Sequence, residues 1–225
     1  ARLDAVRPLP PDVLAKLREY FDVEWTYNSN AIEGNTLTRR ETQLVIQDGL
    51  TVGGKSMREH LEAINHKHAI DFVEALSTGQ EPVTEYAIRQ IHALVLRTID
   101  DENAGGYRRT QVYISGTEYQ PPAPALAPSL RRELGEWLVS DQAAALHPVE
   151  RATLAHFRLV HVHPFVDGNG RTARLLMNLL LLRDGYPPAV IRKQQRLGYY
   201  AALDKAHRGD TEPFVALVAR SVERS

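Results

Sequence analysis

The sequence contains no cysteine. Disulfides, thiolate nucleophiles and cysteine-ligated zinc are therefore excluded, and a reducing, cytoplasmic setting is the expectation. Long hydrophobic runs are missing too. The densest apolar stretch, Leu175–Leu182, falls well short of the roughly 18 residues of a membrane span and is interrupted by Asn178. The first residues carry no apolar signal-peptide core, so no membrane partner is expected. Nor is there a charge excess: 27 Lys and Arg stand against 28 Asp and Glu, a formal net charge of −1. A protein that coats nucleic acid needs a marked basic excess, so the balance argues against such a role and no nucleic-acid partner is expected. An acidic disordered chain is excluded on the same count.

What is present is ordinary globular material. The 225 residues, 43% hydrophobic and 24% charged, suit a single domain spanning 1–225, large enough to bury its own core. The near-zero charge hides a split. Residues 163–225 hold 10 basic and 6 acidic side chains, a net +4, against −5 for the rest. A cationic C-terminal quarter on a neutral protein points to a compact anionic ligand.

Helical periodicity dominates. Pro10-Pro11 opens a segment through Tyr27 with Val13, Leu14, Leu17, Tyr20 and Phe21 at helical spacing. Thr38-Arg-Arg-Glu41 and Ser56-Met-Arg-Glu59 read as capping boxes, and Thr84 as the cap of a further helix. Stretches 130–139, 149–161, 171–184, 198–207 and 211–222 are also helical in pattern. The segment beginning at Arg171 is apolar on nearly every side and belongs in the middle of a bundle. Gln111-Val-Tyr-Ile-Ser115 alternates and precedes Gly116 and Pro121-Pro122, the pattern of a short hairpin. The expectation is an all-α domain with a β-hairpin flap near 111–120.

One segment carries chemistry: His163-Pro-Phe-Val-Asp167-Gly-Asn-Gly170-Arg171-Thr-Ala-Arg174. Gly168-Asn169-Gly170 can adopt positive φ and form a backbone nest at a helix N-terminus, an anion site suited to phosphate. Arg171 and Arg174 lie i,i+3 on the first turn, where both can clamp phosphate oxygens. Asp167 can hold Mg²⁺ bridging two phosphates. His163 titrates near neutrality and is placed as general base for a hydroxyl. Phe165 reads as the loop's apolar anchor. Phosphate, metal and base together imply attack at phosphorus.

This segment resembles the signature loop of the Fic (Fido) family of protein adenylyltransferases. A second element, Ser29-Asn-Ala-Ile-Glu33-Gly34, resembles that family's inhibitory helix motif near 28–35. The tracts 53–60 and 185–200 are similar as well. The resemblance implies a Fic-fold helical bundle that transfers AMP from ATP to a Ser, Thr or Tyr hydroxyl of a target protein. By it, His163 deprotonates the hydroxyl, and Asp167 holds Mg²⁺. Gly168, Asn169, Gly170, Arg171, Thr172, Ala173 and Arg174 form the nucleotide-binding loop, and Tyr199, Tyr200 and His207 lie on the adenine side. Ile114 touches the nucleotide from the flap, whose Val112–Ser115 edge takes an extended target segment. Ser29 and Glu33 share a helical face, and Glu33 pairs with Arg174 to hold the enzyme off. It also implies removal of AMP from the target with Glu33 orienting water, and a homodimer through 53–60.

Other readings compete. Gly49-Leu-Thr-Val-Gly-Gly54-Lys55-Ser56 matches the P-loop pattern, with Thr42–Gln47 as the preceding strand, and would make the chain an NTPase. A Fic-fold enzyme moving another phosphate-containing group is a further alternative. His66 and His68, or His161 and His163, invite a zinc reading; a structural role for His161 fits better. His60, His92, His147 and His156 read as capping or packing residues. Tyr107-Arg108-Arg109 with Tyr113 and Tyr119 suggests stacking on single-stranded nucleic acid, which the charge balance opposes.

Overall fold

The structure, a computed structural model, describes residues 9–114 and 116–225. In chain order its α-helices are α1 (Pro11–Ile32), α2 (Arg39–Gln47), α3 (Met57–Ser77), α4 (Glu85–Leu96), α5 (Ala127–Leu138), α6 (Asp141–Ala144), α7 (Pro148–Val162), α8 (Asn169–Arg183), α9 (Arg196–His207) and α10 (Glu212–Arg224), with a 3₁₀ turn at Lys193–Gln195. Among the described residues there is no strand, and no helix is long and apolar enough to cross a membrane.

Both capping boxes form. The Thr38 hydroxyl accepts from the Glu41 amide while the Glu41 carboxylate accepts from the Thr38 amide, and Ser56 and Glu59 repeat the exchange at α3. Each satisfies two orphan N–H groups and fixes where its helix begins. Thr84 caps α4 as expected.

Helix α8 is the axis. It packs against α7, α3, α4 and α1, and Leu175, Leu176, Met177, Leu179 and Leu181 are fully buried. Each such side chain contributes about 1.5–3 kcal/mol on transfer from water. Asn178 interrupts the apolar run because its amide exchanges hydrogen bonds with the Ala189 backbone, at 2.8 and 3.4 Å. That clasp holds the 184–192 turn on the buried helix. Helix α10 packs on α9 and α7, and α5 on α7 and α4. The N-terminal end of α8 is thus fixed by the whole core.

One expectation is extended and one needs correction. Helix α1 forms as expected and runs past Tyr27 to Ile32; Leu14 and Tyr20 of its apolar stripe are half exposed, whereas Val23, Trp25 and Ile32 are buried. The hairpin at 111–120 shows no strand in the described residues; Ser115 lies outside them. Pro121 and Pro122 supply no N–H for a ladder at its base. Side chains close the loop instead: the Gln111 amide donates to the Pro121 carbonyl, and Arg108 donates to the Thr110 and Pro122 carbonyls.

Candidate active site

The site is assembled where α7 ends and α8 begins. His163 caps α7 in the left-handed region (φ 48°), a conformation that costs a non-glycine residue about 1–2 kcal/mol. Pro164 prevents the helix from continuing. The strain is held by neighbours: buried Arg108 donates from Nε to the His163 carbonyl at 2.7 Å, and from its backbone N–H to the Pro164 carbonyl at 2.9 Å. The His163 ring donates from Nδ1 to the Val160 carbonyl at 3.3 Å, because a carbonyl can only accept. Nε2 therefore carries the free lone pair. Burial pushes the His163 pKa down to about 4 against the Val160 carbonyl and the Glu33 and Asp167 carboxylates, so the ring is neutral at physiological pH.

The loop between the helices is clamped from inside. Phe165 is fully buried, its ring stacked on His92 at 3.6 Å between centroids. The Gly105 N–H donates to His92 Nδ1, leaving Nε2 to donate to the Asp167 carbonyl, both at 2.9 Å. Asn169 exchanges hydrogen bonds with both backbone groups of Phe165, at 2.9 and 3.0 Å. Sequence reasoning read His92 as a packing residue but missed that it and Arg108 hold this loop. Neither stands in the signature loop, and each works from a distant element.

The expected three-residue nest is smaller than the glycines suggest. Only Gly168 has positive φ (75°), while Asn169 and Gly170 already belong to the first turn of α8. No side chain caps α8, so its opening N–H groups and its positive dipole end face the site. Gly170 serves another purpose: a Cβ there would meet Glu33 Oε1 and lie 3.1 Å from the Arg174 guanidinium, so a larger residue would have to displace the carboxylate from its pair.

Arg174 is 3% exposed. It donates to the Ser29 hydroxyl at 3.0 Å, the Ser29 carbonyl at 2.9 Å, Glu33 Oε1 at 2.7 Å and the Tyr199 hydroxyl at 3.3 Å. Burial is the largest single influence and opposes its charge, but the Glu33 carboxylate and the Tyr199 hydroxyl together raise its pKa. Glu33 is the C-cap of α1, a position where the helix dipole disfavours an anion; Arg174 compensates. Arg196 fixes this helix end by donating to the Ile32 carbonyl at 2.7 Å.

Arg171, equally buried, faces a different way. Its guanidinium lies 3.5 Å from Glu62 and 3.4 Å from Asp167 Oδ1. Asp167 also accepts from the Gly168 N–H at 2.6 Å and from Arg58 at 2.9 Å. Burial alone would raise its pKa, but Arg171, the Gly168 N–H and Arg58 together hold it below the ordinary carboxylate value.

Of the remaining expected residues, Tyr199 meets this centre directly, through Arg174. Tyr199 is buried, its hydroxyl between Arg174 and His156; Tyr200 is half-buried beneath Arg196. His207 stacks on Tyr119 at 3.5 Å and meets His161 Nδ1 to Nδ1 at 3.2 Å. Thr172 is fully buried, and Ala173 belongs to the apolar core. Ile114 is half-buried. The P-loop reading fails on geometry. Residues 42–47 are helix α2, Lys55 donates to Thr36, and Ser56 is the cap of α3. A large cavity of about 1020 Å³ lies elsewhere, lined by Leu14, Phe21, Trp25, Ile70 and Tyr186; it holds none of the groups at the α7–α8 junction.

Comparisons with known proteins agree with this picture. Residues 82–181 match the model of the Fic/DOC family. The chain is 44% identical over 211 residues to a Drosophila grimshawi protein named protein adenylyltransferase Fic, spanning 94% of this chain but only 43% of that protein. A crystal structure of a Fic domain containing signaling protein from Bacteroides thetaiotaomicron superimposes with TM-score 0.88 at 31% identity, covering 98% of this chain and 92% of that one. Fic-1 of C. elegans (residues 134–508) superimposes with TM-score 0.89 at 38% identity, covering 98% of this chain and 66% of that one. With its signature loop, its α7–α8 junction and a near full-length structural match, this chain belongs to the Fic/DOC family.

Proposed function

We propose that this chain transfers AMP from ATP to a Ser, Thr or Tyr hydroxyl of a target protein. The observation that carries the reading is neutral His163, Nδ1 occupied and Nε2 free, beside the uncapped N-terminus of α8. The name borne by the curated relatives supports it. His163 Nε2 takes the hydroxyl proton. The hydroxyl oxygen bonds to the α-phosphorus, and the bond to the bridging oxygen breaks, so pyrophosphate leaves with the electron pair. The opening N–H groups of α8 stabilise the charge that grows on the α-phosphate, as preorganised dipoles do. Arg171 and Arg174 hold the outer phosphates, and Tyr199, Tyr200 and His207 lie on the base side.

Asp167 fits a Mg²⁺ ligand by chemistry: a half-exposed carboxylate at the helix N-terminus, of the kind that binds Mg²⁺ together with substrate phosphates. Bound there, the ion would neutralise phosphate charge. The 111–120 segment receives the target as an extended strand, with Ile114 toward the nucleotide. Glu33 holds the enzyme off by occupying Arg174, and positions water when AMP is removed from the target. Association of two copies runs through 53–60.

Incubation of wild type, Glu33→Gly and Glu33→Gly/His163→Ala with labelled ATP and Mg²⁺ tests the reading. Strong label on protein is expected only with the single variant. Equal labelling by wild type refutes the block by Glu33, and labelling by the double variant refutes the general base. Competition by unlabelled UTP, GTP and CDP-choline distinguishes transfer of another group.

A further inference from the structure

The signature loop accounts for Arg171, Arg174 and Asp167, but the site contains a cation that the loop does not supply. Arg58 stands on the first turn of α3, far away in sequence. Its Nη2 donates to Asp167 Oδ2 at 2.9 Å. The other carboxylate oxygen, Oδ1, accepts from the Gly168 N–H and lies 3.4 Å from Arg171. Both oxygens of the expected Mg²⁺ ligand are thus engaged by groups bearing positive charge or a proton.

We infer that Arg58 is a resident counter-cation that competes with the divalent metal for Asp167, and so sets how strongly nucleotide binding depends on metal. The inference rests on the reading of Asp167 as the metal ligand. A guanidinium hydrogen-bonded to Oδ2 and a divalent ion on the same oxygen exclude each other, by charge and by space. Arg171 cannot be the competitor that yields. It is 3% exposed and also held by Glu62, so moving it would strand a buried charge. Arg58 can yield. Its side chain is 58% exposed, and its Nε lies 3.3 Å from Glu62 Oε1, one turn further along α3. Released from Asp167, it keeps Glu62 as a partner and gains water. An ion pair this exposed is weak. Its competition is therefore a matter of several-fold rather than orders of magnitude, which leaves the site switchable by metal.

The test compares how much Mg²⁺ improves the affinity of a non-hydrolysable ATP analogue, measured calorimetrically in Mg²⁺ and in EDTA. The protein is the full chain carrying Glu33→Gly, with and without Arg58→Met or Arg58→Lys. Methionine keeps the aliphatic stem without its charge; lysine keeps the charge. Reading the ratio rather than either affinity alone separates competition for Asp167, which raises the ratio when Arg58 loses its charge, from attraction of the phosphates, whose loss lowers the affinity in the same direction in EDTA and in Mg²⁺. Arg58→Met is expected to raise the Mg²⁺-to-EDTA affinity ratio about two- to fivefold, with Arg58→Lys between it and the parent. An unchanged ratio overturns the inference. A lowered ratio also overturns it, since Arg58 would then assist the metal–phosphate complex. If the parent binds the analogue in neither condition, the reading of the site as a nucleotide site fails, and the inference with it.

Discussion

Replacing Glu33 by Gln keeps the shape of the side chain and removes its charge, so it isolates the pair with Arg174. Arg174 is 3% exposed, whereas the Glu33 side chain is one-third exposed. Breaking a fully buried pair costs about 3–5 kcal/mol, and the loss of one charge-assisted hydrogen bond about 1.5–3 kcal/mol. Because Arg174 retains Ser29 and Tyr199 as acceptors, the lower range applies. At roughly 2–4 °C per kcal/mol for a domain of this size, Glu33→Gln should lower Tm by about 3–12 °C without ligand. In the proposed function the same carboxylate takes the place of an outer phosphate, and on that reading its removal should strengthen ATP binding by about tenfold or more, 1.4 kcal/mol per factor of ten. Saturating ATP with Mg²⁺ then restores about 2.7 kcal/mol at a hundredfold excess over Kd, returning Tm to near the wild-type value. Differential scanning fluorimetry with and without nucleotide reads both effects. Equal Tm without ligand, together with equal ATP-induced shifts in the two proteins, would refute the argument that one carboxylate both stabilises the resting site and blocks it.

Gly170→Ala places a methyl group against the Glu33 carboxylate. It should therefore destabilise wild type by about 1–3 kcal/mol as an overpacked site, and clearly less in a Glu33→Gly background. Additive effects in a denaturant double-mutant cycle would disprove that contact. His163, with its pKa pushed down to about 4, is already in its basic form at neutral pH. In Glu33→Gly, which removes a carboxylate that raises this pKa, kcat/KM for adenylylation should stay flat from pH 7 down to about 5; an acid limb near the ordinary 6.5 would contradict it. His92 is also held neutral by burial, with its pKa near 4. Its folded value lies below its unfolded value, so the stability it contributes is complete above about pH 6.5 and falls as pH drops toward 4. The loss at pH 5 is about 2 kcal/mol. His92→Gln should remove that share, about 2 kcal/mol at pH 5, from the urea-measured loss of stability, while His163, His66, His156 and His207, likewise held neutral by burial, keep the rest. Lys55→Ala should leave nucleotide affinity unchanged by calorimetry, since that ammonium holds Thr36 rather than a phosphate.

The chemistry was legible because it is contiguous. A histidine, a carboxylate, glycines and two arginines within one short segment can only cluster at a helix start. The capping boxes at Thr38 and Ser56 were equally readable, since they join residues three apart. The P-loop pattern at 49–56 shows the limit of such reading. The letters matched, but the preceding segment folds as α2, and Lys55 is taken by the loop after α1.

By itself the sequence determined a mainly helical chain, a buried final-third helix with a histidine, a carboxylate and two arginines gathered at its start, and an acid, Glu33, one turn from Ser29; the hairpin it also suggested at 111–120 did not form strands among the described residues. Tertiary structure alone decided which partners those groups meet. It brings the end of α1 onto Arg174, splits the two signature arginines between Glu33 and Asp167, and sets Arg58 on the carboxylate expected to hold metal. It also recruits His92 and Arg108 to hold the loop. The physical reason is that helix starts and turns are fixed by hydrogen bonds between near neighbours. The pairing of charges across α1, α3 and α8 instead depends on how the apolar faces of those helices pack, and no local pattern encodes that.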